Sequence, residues 1–404
     1  MKTYTAIALL LLFCVPTFAE SVTIKVSAGK YNRRNSIVTT QLPKFLRGKP
    51  LRLLRADNGK AIYARSPYKR PQELVWILDE AIASGSSRKY RIEVAKPGGK
   101  VPKSDDWVHI DGNSKGAVIM KYRNKTILHY NPMMVPSPIK GKPYYQRSGY
   151  IHPVFNPAGQ PVTDDFAPDH PHQHGIMHPF VRTKFQGRSL NFWEQSPGVG
   201  GLIISNGVVA HTAGIVFASV HARLLHMDRT DKKNLKKVLK EEWHIRAYAF
   251  DKEFIFDLES RLSCATKTPL NVLKHHYGGL AIRGNRGWKK DLGNFLTSEG
   301  KTRKNGNHTA ARWVDINGKV KGKHTGLTVF SHPKNFRAPQ PVRLHPSMPY
   351  FCYAPMVKGS FKIKPQQTYV SRYRFYTHMG KLNVKRAEAI WADYAFPVQC
   401  LVVK

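Results

Sequence analysis

The chain of 404 residues carries 65 Lys or Arg against 26 Asp or Glu, a formal net charge of +39, and it has only 4 cysteines. So few cysteines exclude a disulfide framework, and no known DNA- or RNA-binding motif supports nucleic acid as a partner. Because the basic residues are dispersed along the chain, an acidic glycan partner and an ordinary solvated basic surface are equal alternatives.

The first nineteen residues have the features of a secretory signal peptide (1–19). Met1-Lys2 is a short positive segment, residues 6–15 are apolar, and Thr17 and Ala19 supply the small side chains of a cleavage pattern. No later segment reaches the ~20 apolar residues that a membrane-spanning helix needs. The sequence therefore predicts an exported protein, periplasmic or extracellular, without transmembrane anchoring.

Residues 20–95 are predicted to form a small N-terminal β domain. Its segments alternate apolar and polar residues or form short apolar runs, as strands do. Asp57-Asn-Gly-Lys60 predicts a tight turn. Gly, Pro and Ser then accumulate over residues 96–105, which we interpret as a linker. The predicted strands cover residues 22–27, 51–55, 74–78 and 89–94.

Residues 106–404 are predicted to form a second domain, a large antiparallel β-sandwich, so the chain belongs to the all-β class. The clearest helix covers residues 385–394, which are rich in helix formers. Residues 232–242 could form a short helix, but residues 228–240 are so charged that an exposed ribbon is equally expected. The predicted strands cover residues 116–122, 202–205, 214–220, 242–248, 253–258, 279–283, 326–330 and 369–376.

The most distinctive segment is residues 164–178, which hold four histidines and three aspartates. Several prolines and Gly175 favour a loop. His170, His172 and His174 nevertheless share the parity of one face of a short or edge strand. Histidine acts as proton shuttle or metal ligand near neutral pH, so we predict a site here. A surface loop of hydrogen-bonded histidines is the alternative.

Proton transfer is the chemistry that these side chains support if the site is catalytic. His172 is predicted to be the general acid or base, with His170 as its partner. Asp169 or Asp165 would orient a histidine ring. No cofactor is predicted for this chemistry. The alternative is a divalent metal held by His170, His172, His174 or His178 together with Asp165 or Asp169.

Further segments combine aromatic residues with Arg, His or Asn, a mixture that suits carbohydrate. Aromatic faces stack on apolar sugar faces, and arginine pairs with carboxylates. Ordinary loop packing is the equal alternative. Arg147, Arg337 or Arg343 would hold an acidic or carbonyl group. The other substrate-binding candidates in these segments are His152, His332, His345 and Tyr353.

The chain resembles a family of exported bacterial proteins labelled PmoA-like, or "methane oxygenase PmoA", which is otherwise a domain of unknown function. Where the family usually continues as His-His-Arg-Gly, this chain departs from it with Gln173 and His174. Trp193 lies in one of the shared motifs and joins the substrate-binding candidates. The motifs are Tyr31-Asn-Arg-Arg-Asn35, Gly149-Tyr-Ile-His-Pro153, Asp169-His-Pro-His172, Asn191-Phe-Trp193, Tyr277-Gly-Gly-Leu-Ala-Ile-Arg283, Ala311-Arg-Trp-Val-Asp315, His332-Pro-Lys-Asn335 and Tyr373-Arg374.

The resemblance implies a galactose-mutarotase-like supersandwich, a fold used by epimerases, lyases and glycoside-processing enzymes. The oxygenase label does not fit, because methane oxygenase copper subunits are embedded in membranes and no span is predicted after the signal segment. The leading hypothesis is an exported carbohydrate-active protein that processes or binds an oligosaccharide or polysaccharide, neutral or anionic. The alternatives are a non-catalytic glycan-binding or scaffold protein and a His/Asp metal-site protein.

Overall fold

The computed structural model of the protein describes residues 21–67, 70–95 and 106–403. The predicted signal peptide and the predicted linker lie outside the described residues. Within them the chain forms thirty strands and one α-helix, and each predicted strand overlaps an observed one. The all-β, antiparallel prediction is thus confirmed. In this part of the chain, no helix is long and apolar enough to cross a bilayer.

The first sixteen described strands contain two to eight residues each. The first strands are β1 (Ser21–Ser27), β2 (Ile37–Gln41), β3 (Leu51–Arg55), β4 (Ala61–Ile62), β5 (Ala64–Arg65), β6 (Glu73–Ile77) and β7 (Ser87–Val94). The next are β8 (Val108–Gly112), β9 (Val118–Tyr122), β10 (Lys125–Asn131), β11 (Tyr150–Val154), β12 (Asp165–Ala167), β13 (His170–His174), β14 (Ile176–Met177), β15 (Thr183–Phe185) and β16 (Arg188–Leu190).

The second half of the chain adds strands of three to thirteen residues. They include β17 (Gly201–Thr212), β18 (Phe217–Asp228), β19 (Lys236–Tyr248), β20 (Phe254–Cys264), β21 (Leu270–Val272), β22 (Leu280–Arg283), β23 (Gly293–Thr297), β24 (Trp313–Val320) and β25 (Lys323–Ser331). The last elements are β26 (Val342–Leu344), β27 (Tyr350–Tyr353), β28 (Phe361–Ile363), β29 (Tyr369–Met379), the helix α1 (Val384–Ala395) and β30 (Gln399–Val403).

The N-terminal unit contains a five-stranded sheet, β30-β1-β7-β3-β4, and a three-stranded sheet, β2-β6-β5. Its core includes the fully buried Trp76 and Tyr90. The outermost strand, β30, comes from the end of the chain, which the sequence analysis assigned to the second domain. It pairs antiparallel with β1, with Ile24 opposite Val402, and so covers an edge that would otherwise be open.

Two eight-stranded antiparallel sheets form the larger unit. The short sheet has the order β26-β27-β22-β14-β11-β10-β9-β8, and the long sheet the order β17-β18-β19-β20-β29-β25-β24-β23. They share one apolar core, in which Ile151 of the short sheet and Ile245 of the long sheet are fully buried. The charged segment 228–240 is not a helix: it comprises the end of β18, the connection and the start of β19.

Alternation along β19 decides which of its side chains face this core. Glu241, Trp243 and Ile245 are buried, whereas Glu242 and His244 lie half-buried on the opposite face. The long sheet therefore carries a buried carboxylate on its inner face and histidine and carboxylate side chains on its outer face.

The helix α1 confirms the helix prediction and joins the two units. Asn383 caps it by accepting a hydrogen bond from the Arg386 amide at 3.0 Å. Its Ile390 is buried in an apolar cluster with Val75 of the N-terminal unit and Phe217 of the long sheet. The N-terminal unit thus packs against α1 and the outer face of the long sheet.

Candidate functional site

The histidine-rich segment folds as a hairpin of β12 and β13, which we name the histidine hairpin (residues 165–174). Asp165 lies opposite His174, and Ala167 opposite His170. Pro171 is tolerated because the hairpin is a two-stranded sheet, which leaves one edge of β13 unpaired. The structure therefore shows the short edge strand rather than the loop. The rings of His170 and His172 lie side by side, with centroids 5.4 Å apart.

His174 is fully buried at the base of the hairpin. Its Nδ1 lies 2.6 Å from Asp165 and its Nε2 lies 2.7 Å from the amide oxygen of Gln195. The Tyr150 hydroxyl donates to the second oxygen of Asp165 at 2.6 Å. Burial alone would raise the pKa of Asp165, but the hydrogen bonds and histidine charges around it outweigh burial and lower that pKa. Asp165 therefore orients the ring of His174, and not that of His170 or His172.

His172 faces a carboxyl group that the sequence analysis did not single out. Its Nδ1 lies 3.3 Å from Glu194 Oε1, and both side chains are partly exposed. Burial, reinforced by the charges of nearby histidines and arginines, lowers the pKa of His172 to about 3. Burial also raises the pKa of Glu194. Both shifts favour the uncharged form of the group, as expected where a proton donor and acceptor are desolvated together.

Asp169 holds cations rather than a histidine ring. Its carboxylate lies 2.7 Å from Arg283 and 3.4 Å from Lys289. Burial would raise the pKa of Asp169, but these two cations outweigh it and lower that pKa. Arg283 is only 1% exposed and also donates to Gln173 of the hairpin at 2.9 Å. The arginine thus ties the turn and the second strand of the hairpin to β22.

Replacing Asp169 with Asn is expected to lower the free energy of unfolding by about 1 kcal/mol, because the partly exposed ion pair with Arg283 is lost while the bond to Gln173 remains. Urea unfolding measures the change. Asp291→Asn, at an exposed position, is the matched control and should alter stability by less than about 0.5 kcal/mol. Equal effects of the two substitutions would contradict this role of Asp169.

Arg147 is a buried cation near the hairpin. It is 2% exposed, and among the described residues its Nε has no hydrogen-bond partner. Burial lowers the pKa of Arg147 to about 10, although the charges of Tyr150, Glu241 and Asp165 oppose that shift. An unmade buried hydrogen bond costs about 1–3 kcal/mol, so an anionic group that reached this guanidinium would be stabilised.

Aromatic and basic side chains surround the His172–Glu194 pair. The Tyr145 ring lies 6.4 Å from His172 and 4.6 Å from the ring of Tyr144. The His345 ring lies 6.3 Å from the His170 ring. Burial lowers the pKa of His345 to about 4, and the nearby charge of Arg343 adds to this effect. We define the histidine site as Tyr145, His170, His172, Glu194, Arg343 and His345.

Two predicted substrate-binding residues belong to the core instead. Trp193 is 1% exposed, and its ring packs edge-on against Tyr277 at 5.1 Å. Tyr353 is fully buried, and its hydroxyl donates to the Val329 carbonyl at 2.7 Å. Their packing accounts for both aromatic side chains without a ligand.

Three more predicted residues have partners outside the histidine site. Arg337 donates to the carbonyls of a neighbouring turn, at 2.7 Å for Pro355. The His332 ring packs against Tyr394 of α1 at 5.0 Å. His152 Nδ1 lies 2.9 Å from the Thr163 hydroxyl. Of the eight predicted substrate-binding residues, Arg147, Arg343 and His345 lie near His170 or His172, and His152 lies near the buried His174 at the base of the hairpin.

The histidines predicted as possible metal ligands, His170, His172, His174 and His178, do not converge as metal ligands do. His174 is held by Asp165, and His178 Nδ1 points to Ser260 and Glu241 at 3.0 and 3.2 Å. In the described part of the chain, the one group of three such side chains with ligand atoms within 4.8 Å of one another is His221, Glu242 and His244. The geometry of the hairpin therefore suits proton transfer better than metal binding.

Sequence reasoning missed Glu194 of the histidine site and Arg283, which holds the histidine hairpin through Asp169 and Gln173. Arg283 ends the buried run of β22. Because arginine is almost never fully buried unless it is paired, its position in such a run indicates a buried ion pair. Glu194 lies in the connection between β16 and β17, where no periodicity marks it.

Comparison with known proteins places the chain in a family. A family model described as "Family of unknown function (DUF6807)" matches residues 104–392. A galactose mutarotase related enzyme from Lactobacillus acidophilus is a similar solved structure, at 9% identity and a TM-score of 0.28, covering 68% of this chain and 100% of that chain. No curated protein matches. The expected domain of unknown function is confirmed, whereas the PmoA label stays a prediction. The chain belongs to the DUF6807 family.

Proposed function

We propose that the histidine site binds an anionic oligosaccharide and that His172 and Glu194 transfer protons on it. The observation that carries the proposal is the 3.3 Å contact between the imidazole and the carboxyl group, both with a pKa shifted toward the uncharged form. A neutral imidazole can accept a proton, and a carboxyl group of raised pKa can donate one closer to neutral pH.

The surroundings of the pair support a sugar as the ligand. Tyr144 and Tyr145 offer aromatic faces, on which the apolar faces of sugar rings stack. Arg343 lies near enough to influence the pKa of His345, and the buried Arg147 lowers that of His172. This excess of positive charge favours a uronic or sulfated sugar over a neutral one.

The chemistry that fits is elimination or epimerisation beside a sugar carboxylate. In elimination, His172 would take the proton from the carbon next to the carboxylate, and Glu194 would give a proton to the departing oxygen. The carbon–oxygen bond breaks as a carbon–carbon double bond forms. Each proton transfer contributes on the order of 10²- to 10⁴-fold to the rate.

The test follows neutral, uronic and sulfated oligosaccharides by NMR in the presence of the purified protein. New sugar signals are expected with an anionic substrate. They should form about a hundredfold more slowly with His172→Ala and with Glu194→Gln, the loss expected for one proton-transfer group. Glu299→Gln, an exposed glutamate outside the site, is the matched control and should keep the wild-type rate.

Two results would overturn the proposed chemistry. Product formation at the wild-type rate by both site variants would remove His172 and Glu194 from the mechanism. The other result is broadening of the sugar signals without new products, with less broadening in the same two variants. It would show that the site binds a glycan without transforming it. The melting temperature of each variant shows that the fold is kept.

A further inference from the structure

The outer face of the long sheet carries a second cluster of histidine and carboxylate side chains. His221 of β18 lies directly opposite His244 of β19, and Arg223 lies opposite Glu242. The two imidazole rings are stacked, with centroids 4.3 Å apart and planes 17° apart. Glu242 precedes His244 by two residues on one strand, so both project from the same face. None of these residues belongs to the histidine site.

The ligand atoms of the three side chains converge. Glu242 Oε2 lies 3.7 Å from His221 Nε2 and 4.0 Å from His244 Nε2. All three ligand atoms lie within 4.8 Å of one another. Zinc bonds of about 2.0–2.2 Å place tetrahedral ligand atoms about 3.3–3.6 Å apart. Side-chain rotations that move the ligand atoms by about 1 Å would therefore bring them to the spacing of a zinc site. We propose that His221, Glu242 and His244 form a binding site for a divalent transition metal such as Zn²⁺.

The neighbours of the cluster are arranged to support this role. Arg223 Nε lies 3.5 Å from Glu242 Oε1, so the oxygen that faces the histidines is the other one. Such outer contacts orient the ligands of metal sites. Glu259, which lies opposite His244 on β20, forms an ion pair with Arg372 at 2.7 Å. Because Glu259 is paired in this way, the cluster consists of two histidines and one carboxylate. This donor set suits zinc, copper, iron or nickel rather than magnesium or calcium.

The site has room for a further ligand. His221 and His244 line a cavity of about 300 Å³ on the outer face of the sheet, which Arg246 and Tyr394 also line. Three protein ligands with an open position are the arrangement of zinc sites that bind water or a substrate, whereas structural sites use four protein ligands. The proposed metal would therefore keep an exchangeable fourth ligand in this cavity.

The test uses the full chain without an affinity tag, stripped of metal with a chelator and titrated with Zn²⁺ in a calorimeter and with Co²⁺ in a spectrophotometer. One equivalent of Zn²⁺ is expected to bind, and Co²⁺ should give the visible absorption of a four- or five-coordinate site. His244→Ala and Glu242→Gln should each weaken binding by more than the ~10- to 100-fold that loss of an outer contact costs.

Two control variants separate this site from adventitious histidine binding. His211→Ala removes an exposed histidine that lines the same cavity but lies outside the triad, and it should leave the affinity unchanged. His170→Ala tests the histidine hairpin, and it too should bind Zn²⁺ as the wild type does. The inference is overturned if no stoichiometric binding occurs, or if His170→Ala weakens binding and His244→Ala does not. Because these outcomes involve no sugar, they are independent of the proposed carbohydrate chemistry.

Discussion

Replacing Glu241 with Ala is expected to lower the free energy of unfolding by about 3–5 kcal/mol, the cost of removing one partner from a buried charged cluster. Glu241 is 1% exposed. It accepts hydrogen bonds from Trp243 Nε1 at 2.7 Å and the Ser260 hydroxyl at 2.5 Å. His226 Nε2 lies 2.8 Å from its other oxygen. Without the carboxylate these groups stay buried and lose their partner, which makes the loss large.

Urea unfolding at neutral pH measures this loss, and Glu299→Ala is its matched control. Glu299 is an exposed glutamate whose carboxylate lies 3.4 Å from Arg312, a contact worth at most about 1 kcal/mol. Similar changes for the two variants would show that the buried cluster adds no stability beyond that of a surface charge.

The same variant should change the response to acid. Burial alone would raise the pKa of Glu241, but hydrogen bonds and charges from His178 and His226 outweigh it and hold that pKa well below its usual range. A carboxyl group whose pKa is lowered by folding stabilises the protein above its unfolded pKa of about 4.3, and that stability is lost as the pH falls toward the folded value. The stability difference between wild type and Glu241→Ala should therefore shrink below about pH 4.

Periodicity predicted twelve of the thirty described strands and the single helix, but not the pairing of distant strands. The alternation of Trp243 and Ile245 with polar residues places β19 correctly, and extending it two residues back points Glu241 inward. By contrast, the pairing of β30 with β1 joins opposite ends of the chain. No local pattern encodes such a contact, since it depends on where α1 places the following strand, β30, relative to the open edge of β1.

The histidine site shows the same limit. The density of histidines marks the hairpin, because its residues are adjacent in sequence. Their partners come from elsewhere: Glu194 from the connection after β16, Arg283 from the end of β22, and His345 from beyond β26. The sequence therefore identifies His172 as a candidate, but only the fold identifies the carboxyl group beside it.

Replacing Arg33 with Ala is expected to cost about 3–5 kcal/mol and to loosen the contact between the N-terminal unit and α1. Arg33 is 2% exposed and donates to Asp393 of α1 at 2.7 Å. It also donates to the carbonyls of Ala28 at 2.9 Å and Phe396 at 2.7 Å. Loss of this side chain leaves Asp393 with Ser36 as its remaining donor, at 2.8 Å. Thermal unfolding should show a lower, broader transition if the units then melt separately.

Arg34→Ala provides the matched control, since Arg34 is the exposed neighbour of Arg33. Its substitution should change stability by less than about 0.5 kcal/mol. A double-mutant cycle with Asp393→Ala decides whether the ion pair or the packing of the interface holds the units together. If Arg33→Ala/Asp393→Ala is more stable than the sum of the two single changes predicts, the penalty is that of an unpaired buried charge. Strict additivity would assign the docking instead to the apolar contacts of Ile390 and Val75, which neither substitution removes.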